Sequence, residues 1–195
     1  MKKILVGLIL LTSLLSNVGI WSFFTKKIRN LEKNEEAEKI NLIFNAKKLT
    51  EFEIKSEGTP LNEDLVLFDI DKKKYTLKDC IKKEVLIFRV SKIHCNACII
   101  EQFEILNKLN RDIVVLTDFE THRRFRFFCQ ANNIKSRIFN CQSNLNLKIN
   151  KLGKPFFFIL KDDLSCHHFF VPFAGHPFLT KKYIENISMK RKYER

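Results

Sequence analysis

Val85-Leu86-Ile87-Phe88-Arg89-Val90-Ser91-Lys92-Ile93-His94-Cys95-Asn96-Ala97-Cys98-Ile99-Ile100-Glu101 is the stretch from which the fold is read. Its first six residues are apolar on both faces apart from Arg89, the pattern of a buried strand. After it, Ile99, Ile100, Phe103 and Leu106 recur at spacings of three and four, one face of a helix. The pair Cys95-x-x-Cys98 therefore falls at a strand-to-helix turn, with Cys95 at the N-cap and Cys98 one turn in. The first turn of a helix leaves backbone N–H groups unpaired and carries the positive end of the macrodipole. A thiolate there is stabilised, so the nucleophilic form of Cys95 is populated near neutral pH. One helical turn brings Cys98 close enough to attack a mixed disulfide and release the partner.

A structural disulfide and half of a zinc site are the competing readings. Zinc requires a second Cys/His pair at close spacing, which the chain lacks, so no metal and no cofactor is expected. His167-His168 and His176 read as surface residues. Six cysteines (80, 95, 98, 129, 141 and 166) are many for a reducing cytosol and tolerable in an exported domain. Outside the central couple, Cys80, Cys129, Cys141 and Cys166 are either paired in one of three ways or free and buried as small hydrophobes. Around the couple, His94 either lowers the Cys95 pKa as a cation or donor, or faces solvent. Glu101 is a proton acceptor for Cys98 if its face is inward, and otherwise a solvated helix carboxylate.

The formal net charge of +13 invites a nucleic-acid reading. Lysines are scattered along the whole chain, with no basic helix face interleaved with aromatics, so no nucleic-acid partner is expected. The charge suits anionic membrane surfaces or acidic partner proteins instead.

Lys2 and Lys3 precede an apolar run from Ile4 to Phe24. At ~1.5 Å per residue it reaches roughly 31 Å, enough to span a bilayer. It reads as an uncleaved single-pass anchor, with a cleaved signal peptide as the alternative. Either one places the rest of the chain on the periplasmic or other extracytoplasmic side of the cell membrane. Residues 25–57 are rich in Lys and Glu and, up to Gly58, free of Gly and Pro, which predicts a juxtamembrane helical stalk. Gly58-Thr59-Pro60 opens the domain, so the expected division is 1–24, 25–57 and 58–195.

Within the domain, strands are predicted at 65–69, 85–90, 113–117, 137–140, 156–160 and 166–172. Helices are predicted at 77–81, from Cys95 to about Asn110, at 121–132, near 144–150 and at 179–189. Alternating βαβ units followed by a hairpin and a helix imply an α/β domain, a mixed sheet with helices on both faces.

With this order the chain resembles the thioredoxin-like superfamily, in particular the membrane-anchored TlpA/ResA-like oxidoreductases and the AhpC/TSA-like redoxins of bacteria. Leu65–Leu77 is similar to that family's opening hairpin, Val85–Cys98 to the strand leading into the CxxC, and Gly153-Lys154-Pro155-Phe156-Phe157 to the segment with a cis-proline beside the cysteines. Glu101 stands where many TlpA-like proteins carry a glutamate. The chain departs in having His94 before the first cysteine, Ala97 between the two, and no threonine after Pro155. The resemblance implies a thioredoxin-like mixed β-sheet flanked by helices and a thiol-disulfide oxidoreductase. Cys95, Cys98, His94 and Glu101 would be its catalytic residues, and Pro155 with Lys154 would line its substrate groove. Protein thiols or disulfides and an upstream redox partner would be what it meets. The runner-up is a Cu(I)-binding Sco-like module of the same fold, with His176 where a distant ligand falls, or a redox-inert interaction domain.

Overall fold

The computed structural model describes the backbone of residues 2–91, 96–109 and 112–193, and the side chains of 26–91, 99–109 and 112–187. His94 and Cys95 lie outside these residues, as does the side chain of Cys98. The chain divides into two units, residues 1–48 and 49–195.

A single helix, α1, runs Lys2–Ser56. The helical character predicted for the stalk is found. Among the described residues no helix is long and apolar enough to cross a membrane, and the side chains of the 4–24 run lie outside them. The second unit takes in residues 49–57, which composition assigns to the stalk. Leu49 and Phe52 pack on the core, and the fully buried Ser56 accepts a hydrogen bond from the backbone N–H of Ile149 at 3.0 Å. Isolated Leu and Phe among Lys and Glu carry too little periodicity to reveal this packing.

The second unit holds a seven-stranded sheet. Its strands are β1 (Val66–Phe68), β2 (Lys74–Thr76), β3 (Val85–Arg89), β4 (Ile113–Thr117), β5 (Arg137–Asn140), β6 (Phe156–Leu160) and β7 (Cys166–Phe170). Their order is β2-β1-β5-β4-β3-β6-β7. β3, β4 and β5 are parallel, and β6, β7, β1 and β2 join antiparallel. The helices are α2 (Leu77–Cys80), α3 (Asn96–Leu106), α4 (His122–Ala131) and α5 (Pro177–Tyr193), with a 3-10 helix at Lys148–Leu152. The predicted elements all appear, and β2 is added. It is short and polar, Lys-Tyr-Thr, and its pairing with Val66–Phe68 rather than any apolar run makes it a strand.

The period-2 alternation of β3 sorts the core onto two faces. Leu86 and Phe88 face the layer built by Ile99, Phe103 and Leu106 of α3 and Ile184 and Ile187 of α5. Phe88 stacks on Phe157 with ring centroids 4.3 Å apart and meets Phe103 edge-on. Val85 and Ile87 face Leu67, Leu77, Leu147 and Ile149 on the other side. Arg89 continues that second face and is the charged member of an otherwise apolar row.

Candidate active site

Three parallel strands, β3, β4 and β5, end at one edge of the sheet, where crevices for ligands form in α/β folds. The segment carrying the CxxC leaves from the end of β3. α3 begins at Asn96, so Cys98 is its third residue, as the expected strand-to-helix turn requires. The positions of His94 and of the Cys95 and Cys98 sulfurs lie outside the described residues. The β3–β6 register sets Phe156 opposite Arg89. Buried Pro155 and exposed Lys154 therefore reach the same edge as the CxxC segment.

The peptide bond before Pro155 is trans, not the cis form the resemblance implies: no cis bond occurs among the described residues. Gly153 closes the 3-10 helix in the left-handed region, φ 61°, and makes the turn into β6. The ordinary trans isomer, lower by about 0.5–1 kcal/mol, then suffices.

Beneath this edge lies an ion pair that the sequence reading passes over. Arg89 is only 4% exposed, and its Nη2 donates to Asp118 Oδ2 at 2.9 Å. Burial works against the guanidinium's charge, and the Asp118 carboxylate opposes that loss. Ser91 Oγ donates to the same oxygen at 2.8 Å. Arg89 Nη1 is buried with no hydrogen-bond partner among the described residues, and Arg89 lines a polar cavity of about 280 Å³ together with Ser91, Asp118 and the loop Gln142–Asn144. The loop carrying Asp118 is held by buried Asn140. The Asn140 side chain accepts from the Phe119 N–H at 2.7 Å and donates to the Phe119 carbonyl at 2.8 Å. The one signal in the sequence was an arginine inside an apolar strand. Its partner, 29 residues on, could not be read from it.

α3 itself shows one correction. Ile99, Phe103 and Leu106 are buried as predicted, but Ile100 is 49% exposed. The helix turns ~100° per residue, and the inward arc that holds Ile99 is completed by fully buried Gln102 instead. Gln102 Oε1 has no hydrogen-bond partner among the described residues. Glu101 is partly buried and accepts a long hydrogen bond, 3.5 Å, from Gln102 Nε2. Its relation to Cys98 lies outside the described side chains.

The remaining candidates separate clearly. Cys80, Cys129, Cys141 and Cys166 carry free thiols. Burial raises the pKa of all four, Cys129 to about 11 and Cys166 further. His167, expected at the surface, is partly buried instead: its Nδ1 lies 2.8 Å from Glu57 Oε1 and its Nε2 2.9 Å from Ser165 Oγ. This bridge ties the residue after α1 to β7, a tertiary contact that adjacent histidines in a strand do not announce. His168 and His176 are exposed. Among the described residues no group of three His, Cys, Asp or Glu could hold a metal ion.

The raised Cys129 pKa fixes a pH dependence. An unfolded thiol ionises near pH 8.5, whereas folded Cys129 holds its proton to about 11. The folded state then binds more protons than the unfolded one in that window, so stability falls as pH rises. Stability is expected to be level below about pH 8.5 and to fall by ~1.4 kcal/mol per pH unit for this thiol above it. Urea unfolding at pH 8, 9 and 10 measures the slope, and Cys129→Ala should make it shallower.

Seen as a whole, the parallel β3–β4–β5 core flanked by antiparallel β6–β7, with α3 following β3, matches solved structures. A candidate electron transfer protein from Aquifex aeolicus superposes with a TM-score of 0.50 at 13% identity, over 66% of this chain and 92% of that one. The fold is thioredoxin-like. A thiol:disulfide interchange protein from a Bacteroides species aligns at 11% identity over 67% of this chain and 92% of its own, with a TM-score of 0.47. A secreted disulfide oxidoreductase of Mycobacterium tuberculosis aligns at 11% identity over 63% and 96%, with a TM-score of 0.46. At these identities the likeness concerns the fold. No family profile and no curated protein sequence matches the chain.

Proposed function

We propose that this thioredoxin-like domain is a thiol-disulfide oxidoreductase acting through Cys95 and Cys98 on protein thiols outside the cytoplasm. The observation that carries the reading is that α3, described from Asn96, is the element that follows β3 in a thioredoxin-like sheet. Asn96, Ala97 and Cys98 of the CxxC fall in the first described turn of α3, and a thiolate at a helix N-terminus gains stabilisation.

In the reductive direction, the Cys95 thiolate attacks one sulfur of a substrate disulfide. A Cys95–substrate disulfide forms and the other substrate sulfur leaves as a thiolate. The Cys98 thiolate then attacks Cys95, closing the Cys95–Cys98 disulfide and releasing the second substrate thiol. The substrate gains two electrons, and an upstream dithiol partner returns them to the couple. Run backwards, the same steps oxidise a dithiol. His94 adds a donor or cation and Glu101 a proton acceptor. Pro155 and Lys154 border the groove in which an extended segment lies. The apolar run 4–24 serves as the membrane anchor, with the domain on the extracytoplasmic face.

Alkylation of the reduced protein tests the assignment. Cys95 is expected to react with iodoacetamide at pH 7 at least about 100-fold faster than Cys129, whose ionised fraction there is minute. Comparable rates at the two positions would sink the proposal.

A further inference from the structure

α4 carries His122-Arg123-Arg124-Phe125-Arg126-Phe127-Phe128, a basic helix face with aromatics, contrary to the expectation that no helix of the chain has one. Its inward residues, Phe125 and Cys129, are four apart and buried. Phe127 points the other way and is 71% exposed. On one side of it a cleft of about 630 Å³ reaches across to Ile100 of α3, with Phe119 and Phe128 in its lining. On the other side a shallower hollow of about 410 Å³ lies between Lys72, Arg123 and Arg126. Neither lining contains an aspartate or a glutamate. Arg124 is partly engaged by Glu120 at 3.5 Å, whereas Arg123 and Arg126 form no ion pair among the described residues.

We infer that this face is the docking surface for the protein partner of the CxxC, and that the partner presents an acidic segment bearing an apolar side chain. The inference rests on the redox reading above. Three features support it together. Ile100 stands four residues, about one helical turn, beyond Asn96 on α3 and on the same face, so a chain seated in the cleft lies within a turn of the described start of the CxxC helix. The exposed apolar surface is concave, which fits an inserted side chain better than a flat bilayer. The charged residues that line it are all basic, which attracts carboxylates and repels basic chains. The apolar anchor would fill the cleft between Ile100 and Phe127, and its flanking carboxylates would meet Arg123 and Arg126.

Two disulfide-bonded peptides, identical except for acidic or basic residues around the same apolar anchor, provide the test with the full chain in detergent. The wild type is expected to reduce the acidic peptide with a kcat/KM roughly ten-fold above the basic one at low salt, the gap closing as ionic strength rises. R123E/R126E should invert the preference. Phe127→Ala should raise KM for both peptides several-fold and leave kcat in place. All three proteins should reduce 2-hydroxyethyl disulfide equally, since the arginines and Phe127 take no part in exchange. Equal kcat/KM for the two peptides, or a preference untouched by R123E/R126E, would overturn the docking surface while leaving the chemistry standing. Failure to reduce even the small disulfide would instead overturn the redox reading, and the docking reading with it. After reconstitution into vesicles, protection of Arg123 and Arg126 from trypsin by phosphatidylglycerol but not phosphatidylcholine, without a peptide preference, would assign the face to the membrane and overturn the proposal.

Discussion

Asp118→Ala is expected to lower the unfolding free energy by about 3–5 kcal/mol, the cost of leaving a buried charge without its partner. Arg89 sits in the middle of the sheet with 4% of its surface exposed, and the Asp118 carboxylate is the counter-ion 2.9 Å away. Removing the carboxylate strips the guanidinium of its charge partner and Ser91 of its acceptor. Asp118→Asn, which keeps an acceptor but no charge, should lose less. The pair R89M/D118L should recover most of the loss, because replacing both charges with apolar groups leaves no charge buried and unpaired. Urea midpoints with unchanged m-values would report these differences. A loss under ~1 kcal/mol for Asp118→Ala would mean that water reaches the guanidinium freely, as it does for surface pairs.

Cys95→Ser should remove disulfide reduction altogether, dropping the rate by several orders of magnitude to that of uncatalysed exchange, because a hydroxyl has no accessible anionic form at neutral pH. Cys98→Ser should behave differently. It should retain the first attack and accumulate a stable mixed disulfide with its substrate, since the resolving thiol is gone. Mass spectrometry of Cys98→Ser after exposure to an oxidised peptide would show an adduct through Cys95. The double mutant should show none. Persistent turnover in Cys95→Ser, or an adduct on Cys80 or Cys129 instead, would place the chemistry elsewhere. Burial already argues against those two positions, since it holds both thiols above their ordinary pKa.

How far each feature could be read before the chain was folded follows from the range over which its cause acts. Local causes are written in neighbouring residues. The apolar runs 85–88, 113–116 and 156–160 specify buried strands, the spacing of Ile99, Phe103 and Leu106 specifies α3, and Thr76 capping α2 specifies its start. From these alone come the α/β class, the helical stalk and the position of the CxxC at the head of a helix.

Causes that act across the chain become visible only in three dimensions. The sequence shows Arg89 as an exception within an apolar strand. That it is an ion-paired charge at the end of an interior strand depends on Asp118, which the parallel pairing of β3 and β4 brings alongside. The trans bond at Pro155 depends on Gly153 turning the chain, and the fate of four cysteines depends on where the core closes around them. Ile100 and Phe127 look like core residues by type. Only the rotation of α3 and α4 against the sheet turns both outward, into one cleft that Arg123 and Arg124 also line. Sequence alone thus determined which elements form and where the paired cysteines sit along the chain, because hydrophobic periodicity and helix starts are short-range properties. Tertiary structure decided which charges are buried, which thiols are silenced and which surface is left for a partner, because each of those is set by residues far apart in the chain.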